Sequence, residues 1–511
     1  MLKLYQIPIA VACAALASLT TGCEPPPSPF SSGTTANVLL VTLDTCRADR
    51  LGCYGQPRVQ TPSLDRLARE GITFEQAFAP IPSTLPSHAS ILTGLYPAQH
   101  GLHDNGAYAL EDETVTLAER LQEAGYATGA FISAYVLDRQ FGLGQGFDVY
   151  DGAYDLPIVN QDPRLLKERN PTLPEGLRKW LVQVALPFQR RAEQVTAAAT
   201  AWLERLAARP FFLWVHYYDP HQPYQAPGRW ARCYDPDYTG RMDGDMDTYF
   251  QGLRQNQITA RDEENMIARY DGEISYMDEW IGHLFAALES RGSWENTLII
   301  VAGDHGEAFG EHGQIWEHNQ EIFDEAVRVP LLVRRPQGEG AGRRVAGLVR
   351  TIDLFPTVLD LLGLSCDDRL PGVSLRPLMD DPQHEAPGEI LLETLRYEQI
   401  FPVDHSFLGL RTERFKLILR MGPSSRSPQD QARQDRVELA ELFDLESDPR
   451  EISPARLSPH EPMTPESAIV SLREQLLEMH GGLSRPPSAL PLRSLDALTS
   501  DALEQLGYAK R

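Results

Sequence analysis

Short apolar runs alternate with longer amphipathic stretches through most of the chain. The apolar runs predict strands at 38–43, 127–132, 211–216, 298–302 and 330–333. Apolar residues at helical spacing predict helices at 116–124, 192–208, 263–289 and 354–362. Thr116 and Glu119 have capping-box spacing, which supports the start of the first helix. Strands that alternate with helices predict an α/β fold in which helices sandwich a mostly parallel sheet.

The pattern changes after residue 380. Short strand-like pieces follow at 389–393, 407–412, 415–419 and 441–445, and a helical pattern covers 468–479. We therefore expect a large domain over 37–380, a small C-terminal antiparallel α+β subdomain over 381–482 and a tail over 483–511. The stretch 151–187 is rich in proline and charge, and we expect it to be an inserted loop.

The N-terminus has the pattern of an export signal. Lys3 precedes a mostly apolar stretch over 4–19, and small residues precede Cys23, which predicts a signal peptide over 1–22. Small residues before a cysteine resemble a bacterial lipoprotein signal, in which Cys23 is lipidated; plain secretion is the alternative. The Pro/Ser-rich stretch 23–36 is typical of a tether. We expect an exported protein of the bacterial cell envelope, periplasmic or an outer-membrane lipoprotein, with a lipid anchor in the membrane.

The formal net charge of −24 narrows the range of partners. We do not expect a nucleic-acid partner, because phosphate backbones require a basic protein face. An anionic substrate must be held by local cations against the mean field of the protein, and a bound metal ion is the simplest source of such charge.

Aspartate and histidine residues follow three of the predicted strands. Asp44 follows the first, His216 and Asp219 end a central one, and Asp304 and His305 follow another. A single aspartate after a strand is commonly a turn residue or a helix cap. In open α/β sheets, however, ligands bind at the carboxyl ends of the strands, so three such strands predict a divalent-cation site.

Thr84 lies where a helix is expected to begin. Pro86 suits the first helical turn and Gly94 suits the helix end. At a helix N-terminus the macrodipole favours an alkoxide, and so does a bound cation, which predicts that Thr84 is a nucleophile. The alternative is that Thr84 only caps the helix.

Eight segments together resemble the sulfatase family of the alkaline phosphatase superfamily. They are 37–55, 83–97, 214–224, 270–273, 303–313, 328–331, 351–363 and 441–449. The resemblance covers nearly the whole exported part in the family's order. It implies an alkaline-phosphatase-like fold, a catalytic function for the large domain, and hydrolysis of ester bonds.

The chain departs from the family at the nucleophile and at the metal. Sulfatases usually carry Cys or Ser, any residue, then Pro-Ser-Arg, and the Cys or Ser becomes formylglycine; here Thr84 and His88 occupy the nucleophile and arginine positions. Threonine cannot become formylglycine. The tandem aspartates of the family are Asp44-Thr45 here, and a common Asn is His305, which favours manganese or zinc over calcium. This set resembles the phosphodiesterase and phosphoglycerol-transferase branches. The implied metal ligands are Asp44, Thr84, Asp304 and His305.

The resemblance also implies roles for other polar residues. The position matching His221 contacts the ester in sulfatases, and the position matching His318 is commonly Lys. Either histidine can bind ester oxygens or protonate the leaving group, or both can hold a second cation with Asp219; a lone histidine is otherwise a surface or packing residue. We expect Asn105 and His216 to bind substrate. The predicted cofactor is one divalent cation, or two, of Mn, Zn or Ca. The predicted catalytic residues are Thr84, His88, His221 and His318.

These observations predict a metal-dependent hydrolase of sulfate or phosphate esters that uses Thr84 as its nucleophile. Attack by Thr84 gives a covalent enzyme ester, and phosphate is favoured because phosphoryl intermediates on hydroxyl groups are ordinary chemistry. The expected substrate is an anionic ester of a glycan or a lipid. The alternatives are a true sulfuric ester hydrolase, an envelope phosphoglycerol- or phosphoethanolamine-type transferase and a non-catalytic binding lipoprotein.

Overall fold

The computed structural model describes residues 35–105, 108–152, 190–313, 316, 318, 321–394, 406–421, 437–457, 474–476, 478–479 and 481. The predicted signal peptide, most of the tether and of the inserted loop, and the tail lie outside the described residues, and so does Cys23. The boundaries of the domains stay predictions. None of the described helices combines the length and the hydropathy needed to cross a bilayer.

The large sheet has eight strands in the order β4-β3-β5-β1-β6-β7-β2-β8. All strands run in one direction except β7, which is antiparallel to both β6 and β2. The mostly parallel sheet is therefore confirmed. The strands are β1 Asn37–Leu43, β2 Ile72–Phe78, β3 Ala127–Phe131, β4 Val149–Asp151, β5 Phe211–Tyr217, β6 Thr297–Gly303, β7 Arg328–Arg334 and β8 Arg343–Arg350. Of these, β2, β4 and β8 were not predicted.

Helices cover both faces of this sheet. Alternate residues of β1 point to opposite apolar cores: Val38 and Leu40 join one core, and Leu39 and Val41 join the other. Burial on both faces explains why β1 is a continuous apolar run. The described helices are α1 Pro62–Glu70, α2 Thr84–Thr93, α3 Pro97–His100, α4 Leu117–Glu123, α5 Ala192–Arg205, α6 Met246–Arg254, α7 Ala260–Ser290, α8 Asp324–Val327, α9 Leu354–Leu361 and α10 Arg376–Asp380.

The helix termini follow the local sequence signals. Thr116 caps α4 and forms a capping box with Glu119, as predicted. Ser83 is the N-cap of α2, which makes Thr84 the first helical residue. Gly94 ends α2 in the left-handed region at φ 71°, a conformation that glycine adopts without steric strain.

A second, antiparallel sheet of five strands lies in the C-terminal part of the chain, in the order β13-β12-β11-β10-β9. Four of its strands were predicted and β13 was not. In the predicted helix 468–479, the described residues 474–476 and 478–479 are helical, and the remaining residues lie outside the described part. The strands are β9 Glu389–Glu393, β10 Ser406–Thr412, β11 Phe415–Met421, β12 Val437–Asp444 and β13 Ala455–Leu457.

Candidate active site

The centre of the large sheet brings Asp44, Asp304 and His305 together. β1 pairs with β6 so that Leu43 lies opposite Gly303, the residue before Asp304. The N–H of Asp304 donates to the carbonyl of Leu43 at 3.2 Å. All three side chains are buried, and one ligand atom from each lies within 4.8 Å of the others.

These three side chains fit a divalent cation. Asp44 Oδ1 and Asp304 Oδ2 are buried and have no hydrogen-bond partner among the described residues. His305 Nδ1 donates to the carbonyl of Gly306 at 2.9 Å, which leaves the lone pair of Nε2 exposed to the site. Burial and the neighbouring Asp304 raise the pKa of Asp44, burial raises the pKa of Asp304, and burial lowers the pKa of His305. The raised pKa values mean that the two adjacent carboxyl groups favour protonation without a cation, and that a positive charge between them would stabilise their ionised form.

Thr84 lies directly beside this group. Its Oγ1 is 3.2 Å from His305 Nε2, and the residue is fully buried at the first position of α2. The N-terminus of a helix favours negative charge, so a hydroxyl oxygen here is a better nucleophile than one in water. The structure thus places the predicted nucleophile next to the predicted metal ligands.

Asn105 lies next to the nucleophile. Its Oδ1 accepts the N–H of Leu85 at 2.8 Å. Its Nδ2 is buried and has no hydrogen-bond partner among the described residues. A fixed amide donor of this kind is suited to an oxygen atom of the substrate.

His88 makes its hydrogen bonds to the protein. Its Nδ1 donates to the carbonyl of Thr84 at 2.7 Å, and its Nε2 accepts from Thr42 Oγ1 at 2.9 Å. Burial lowers the pKa of His88 to about 3, so the ring is neutral. In this structure His88 therefore fixes the first turn of α2, and its role as a catalytic group stays a prediction.

His216 lies behind Asp44. The N–H of Ser133 donates to His216 Nδ1 at 3.3 Å, so Nε2 carries the proton and donates to Asp44 Oδ2 at 3.2 Å. His216, His88 and Asp304 form a second group with ligand atoms within 4.8 Å of one another. Because both imidazoles already donate to or accept from the protein, this second group fits a cation less well than the first.

His221 and His318 extend the site from His305. The ring centroids of His318 and His305 are 4.7 Å apart, and those of His221 and His318 are 4.9 Å apart. His318 Nδ1 donates to Glu307 Oε1 at 3.2 Å, and His221 Nδ1 donates to the carbonyl of Gln222 at 2.7 Å. The rings of His305, His318 and His221 thus follow one another, with His318 between the other two.

Asp219 is directed towards the start of α5. Its Oδ1 accepts the N–H of Ala192 at 3.2 Å and lies 3.8 Å from Arg191, while its Oδ2 is buried without a partner in the described part of the chain. Burial raises the pKa of Asp219 to about 6, although Arg191 opposes the shift. Within the described residues, no group of three ligand atoms lying within 4.8 Å of one another contains Asp219, His221 or His318. The second cation stays a prediction.

Two buried carboxylates of this region were not among the predicted site residues. Glu307 accepts from His318 through Oε1 and from Tyr224 through Oε2, and burial raises its pKa to about 8. Glu393 of the small sheet contacts His103, 290 positions earlier in the chain. Glu307 has a signal in the sequence, because it follows Asp304 in one loop. The contact between Glu393 and His103 has none, since it depends on how the two sheets pack.

Two protein-family models match the chain. The family model named Sulfatase matches residues 36–364 of the chain, and a model named N-sulphoglucosamine sulphohydrolase, C-terminal, matches residues 310–480. The chain belongs to the sulfatase family. It is therefore a hydrolase of ester bonds in the alkaline phosphatase superfamily, as the sequence predicted.

Relatives and solved structures agree with this assignment. The N-acetylglucosamine-6-O-sulfatase of Bacteroides thetaiotaomicron is 24% identical over 82% of this chain and 82% of that protein. The multifunctional alkaline phosphatase superfamily protein PehA of Trinickia caryophylli is 30% identical over 68% of this chain and 77% of its own length. The phosphonate monoester hydrolase of Agrobacterium radiobacter superposes with a TM-score of 0.65 at 22% identity, covering 88% of this chain and 95% of that chain. The predicted alkaline-phosphatase-like fold is confirmed.

Proposed function

We propose that this sulfatase-family protein is a cation-dependent hydrolase that uses Thr84 as its nucleophile and prefers phosphate esters to sulfate esters. The observation that carries the proposal is the position of Thr84 Oγ1, 3.2 Å from His305 Nε2 at the N-terminus of α2. Asp44 and Asp304 lie beside it with unpartnered oxygen atoms in the described structure. The Thr84 hydroxyl group thus lies beside the candidate cation site.

Asp44, Asp304 and His305 are the residues that would hold the cation, with the Thr84 hydroxyl beside them. A bound divalent cation lowers the pKa of an adjacent hydroxyl and neutralises charge on ester oxygens. Two carboxylates and an imidazole form a mixed oxygen and nitrogen set, which suits manganese or zinc better than calcium.

The remaining residues of the site orient and stabilise the reacting ester. The Thr84 hydroxyl loses its proton to solvent, Thr84 Oγ1 attacks the phosphorus or sulfur atom and forms a bond to it, and the bond to the leaving oxygen breaks. The N-terminus of α2 stabilises negative charge on the transferred group, and Asn105 Nδ2 donates to one of its oxygens. His318, protonated on both ring nitrogens beside the Glu307 carboxylate, gives its Nε2 proton to the leaving oxygen. Water then hydrolyses the Thr84 ester.

The choice of phosphate rests on how the intermediate is resolved. A formylglycine hydrate can expel sulfate by using its second hydroxyl, but a threonine ester has no such group. A sulfated Thr84 must therefore wait for water, whereas displacement at a phosphorylated hydroxyl is common in enzymes. The names of relatives such as N-acetylglucosamine-6-O-sulfatase favour a sulfated glycan instead, and this is the second candidate. A glycan or a lipid is the proposed carrier of the ester.

The test is a matched set of aryl phosphodiester, aryl phosphomonoester and aryl sulfate substrates, assayed with manganese, zinc or calcium. We expect a phosphate ester to give the highest kcat/KM. Thr84→Ala should lose at least ~100-fold in rate, because the covalent nucleophile is removed. Thr93→Ala is the control, since Thr93 lies on the same helix and its hydroxyl bonds to the carbonyl of Ala89. A clear preference for sulfate, or an active Thr84→Ala variant, would refute the proposal.

We also propose that the protein is an exported lipoprotein of the bacterial envelope, anchored through Cys23. The support is the apolar stretch 4–19 followed by small residues and Cys23. Membrane fractionation and intact-mass analysis in a bacterial host test this proposal. We expect an acylated chain that begins at Cys23, and a Cys23→Ser protein without acyl mass. Cleavage elsewhere without acylation would contradict it.

A further inference from the structure

Glu393, the last residue of β9, is where the small sheet meets the segment that leads to the nucleophile. Its N–H donates to the carbonyl of Pro80 at 2.9 Å, shortly before Thr84 in the chain. Its Oε1 accepts from His103 Nδ1 at 2.6 Å. Glu393 is 1% exposed and His103 is 6% exposed. A hydrogen bond of this length to a buried carboxylate belongs to the strong class, and it fixes both partners.

His103 begins a short segment that ends at the nucleophile helix. The carboxylate of Asp104 accepts the N–H of Asn105 at 2.8 Å, which fixes the backbone of the segment. Asn105 Oδ1 then accepts the N–H of Leu85 at 2.8 Å, and Leu85 directly follows Thr84. Glu393 is thus connected to the first turn of α2 through His103 and Asn105.

The orientation of the Asn105 amide matters because Oδ1 accepts a hydrogen bond from the backbone, whereas Nδ2 remains available as a donor. Oδ1 is held by the backbone of α2, so the plane of the amide is set, and with it the direction of Nδ2. Nδ2 is buried and has no hydrogen-bond partner among the described residues. A donor that is held in place before the reaction stabilises charge in the transition state, and a displacement of about 1 Å can lower a rate by about 100-fold.

We propose that Glu393 is a positioning residue for the reaction at Thr84, and that it acts through His103 on Asn105. The small sheet thereby contributes to transition-state stabilisation without touching the substrate. The inference rests on the proposed function of Thr84. It assigns to Glu393 a role in kcat, because Asn105 Nδ2 is expected to interact most strongly with the charge that develops in the transition state.

The test is Glu393→Gln, assayed on the preferred aryl ester. We expect kcat to fall on the order of 10-fold while KM changes less than about 2-fold. Glu389→Gln on the same strand is the control, because Glu389 bonds to Gln475 away from the site; it should match the wild type. In an Asn105→Ala background, Glu393→Gln should have no further effect, since the residue through which it acts is gone.

A second pair of variants covers the case in which Glu393→Gln does not fold. His103→Asn retains a donor near the position of Nδ1 and should keep most of the activity, whereas His103→Ala should lose as much as Glu393→Gln. Equal loss from Glu393→Gln in the wild-type and Asn105→Ala backgrounds would overturn the inference, and so would a kcat equal to that of Glu389→Gln. Thr84→Ala separates the two proposals. An active Thr84→Ala refutes the function, whereas an inactive Thr84→Ala beside a normal Glu393→Gln refutes only the positioning role.

Discussion

Two clusters of charged side chains in the described part of the protein are built in opposite ways. At the active site, Asp44 and Asp304 lie together and each has an oxygen without a partner in the described structure. Between the two sheets, Lys416 is fully buried and its Nζ lies 2.8 Å from Asp324 and 2.7 Å from Glu451. The first cluster carries like charges without compensation, and the second pairs its charges.

The pKa values of the carboxylates differ between the two clusters. Burial raises the pKa of Asp304 well above its ordinary value, and the backbone hydrogen bonds it accepts do not reverse the shift. Burial also acts on the second cluster: Lys416 and Arg411 overcome it at Asp324 and lower its pKa to about 2, whereas burial and Asp324 raise the pKa of Glu451 to about 7 although Lys416 opposes the shift. A buried carboxylate whose charge is stabilised only when a cation binds indicates a functional site. A carboxylate that is already paired with a cationic side chain contributes to the fold instead.

The largest effect is expected from Asp304→Asn. Asn can still accept the N–H groups of Thr45 and His305 through Oδ1, so the loop is retained, but the charge is lost. Bound metal should disappear and activity should fall at least ~100-fold. The metal-free variant should nevertheless be more stable than the metal-free wild type by about 1 kcal/mol, because one of two adjacent buried charges is removed. Metal analysis and denaturant titration measure both effects.

Asp278→Asn is the matched control for this variant. Asp278 is also buried, but it accepts the N–H groups of Ser63 and Leu64 at the start of α1. Its loss of charge should lower stability and leave metal binding unchanged. Stoichiometric metal in Asp304→Asn would remove Asp304 from the set of ligands.

Lys416→Met should have the next largest effect, and on stability alone. Removing the ammonium leaves the buried Glu451 without its cationic partner and leaves the half-buried Asp324 with Arg411, which should lower the free energy of unfolding by about 3 kcal/mol. Arg414→Gln, which breaks an exposed ion pair with Asp444, should lower it much less, because solvent screens the pair. Urea unfolding of the three proteins provides the measurement. Equal stabilities of the two variants would show that the inter-sheet cluster does not stabilise the fold.

The smallest effect is a pH dependence at the same cluster. His312 donates to Glu325 at 2.7 Å and to the carbonyl of Glu451 at 3.0 Å, and burial opposes but does not overcome their effect, so the pKa of His312 rises to about 9. Its stabilisation is complete below the ordinary histidine pKa and is lost as the pH rises through about 9. Glu321 also faces His312, but its pKa of about 7 places its titration lower.

Between pH 8 and pH 10 we therefore expect the wild type to lose about 1 kcal/mol of stability that His312→Gln does not lose. The exposed His384→Gln should behave as the wild type. Melting temperatures recorded across this range test the expectation. Parallel curves for the wild type and His312→Gln would contradict it.

The two clusters also show what a sequence can predict. The sequence predicted that Asp44, Asp304 and His305 lie together, because β1 and β6 are buried on both faces and their continuous apolar runs mark the strand ends that these residues follow. The strand β8 was missed because its first residues, Arg343 and Arg344, are exposed at the sheet edge and break the apolar pattern. The reversed direction of β7 has no local signal either.

The interactions that the sequence did not predict depend on contacts between elements that are distant along the chain. The pairing of β1 with β5 places His216 against Asp44, a contact that the sequence did not predict, and its role in substrate binding stays a prediction. The partners of Lys416 and Glu393 depend on the packing of one sheet against the other. Residue types and spacing identify which side chains carry chemistry, whereas the hydrogen bonds that orient those side chains arise only from the assembled fold.

The separation of Asp44 and Asp304 along the chain has a consequence for folding kinetics. Thr45 donates to Asp304 across 259 positions, so this contact closes a loop that spans most of the large sheet. Non-local contacts of this kind form late, because the entropy of loop closure opposes them until neighbouring strands are in place. A partly folded chain lacks part of the candidate cation site, so we expect it to have no activity. Capture of a cation by Asp44 and Asp304 should therefore coincide with the last slow phase of refolding, which makes metal uptake a reporter of complete assembly.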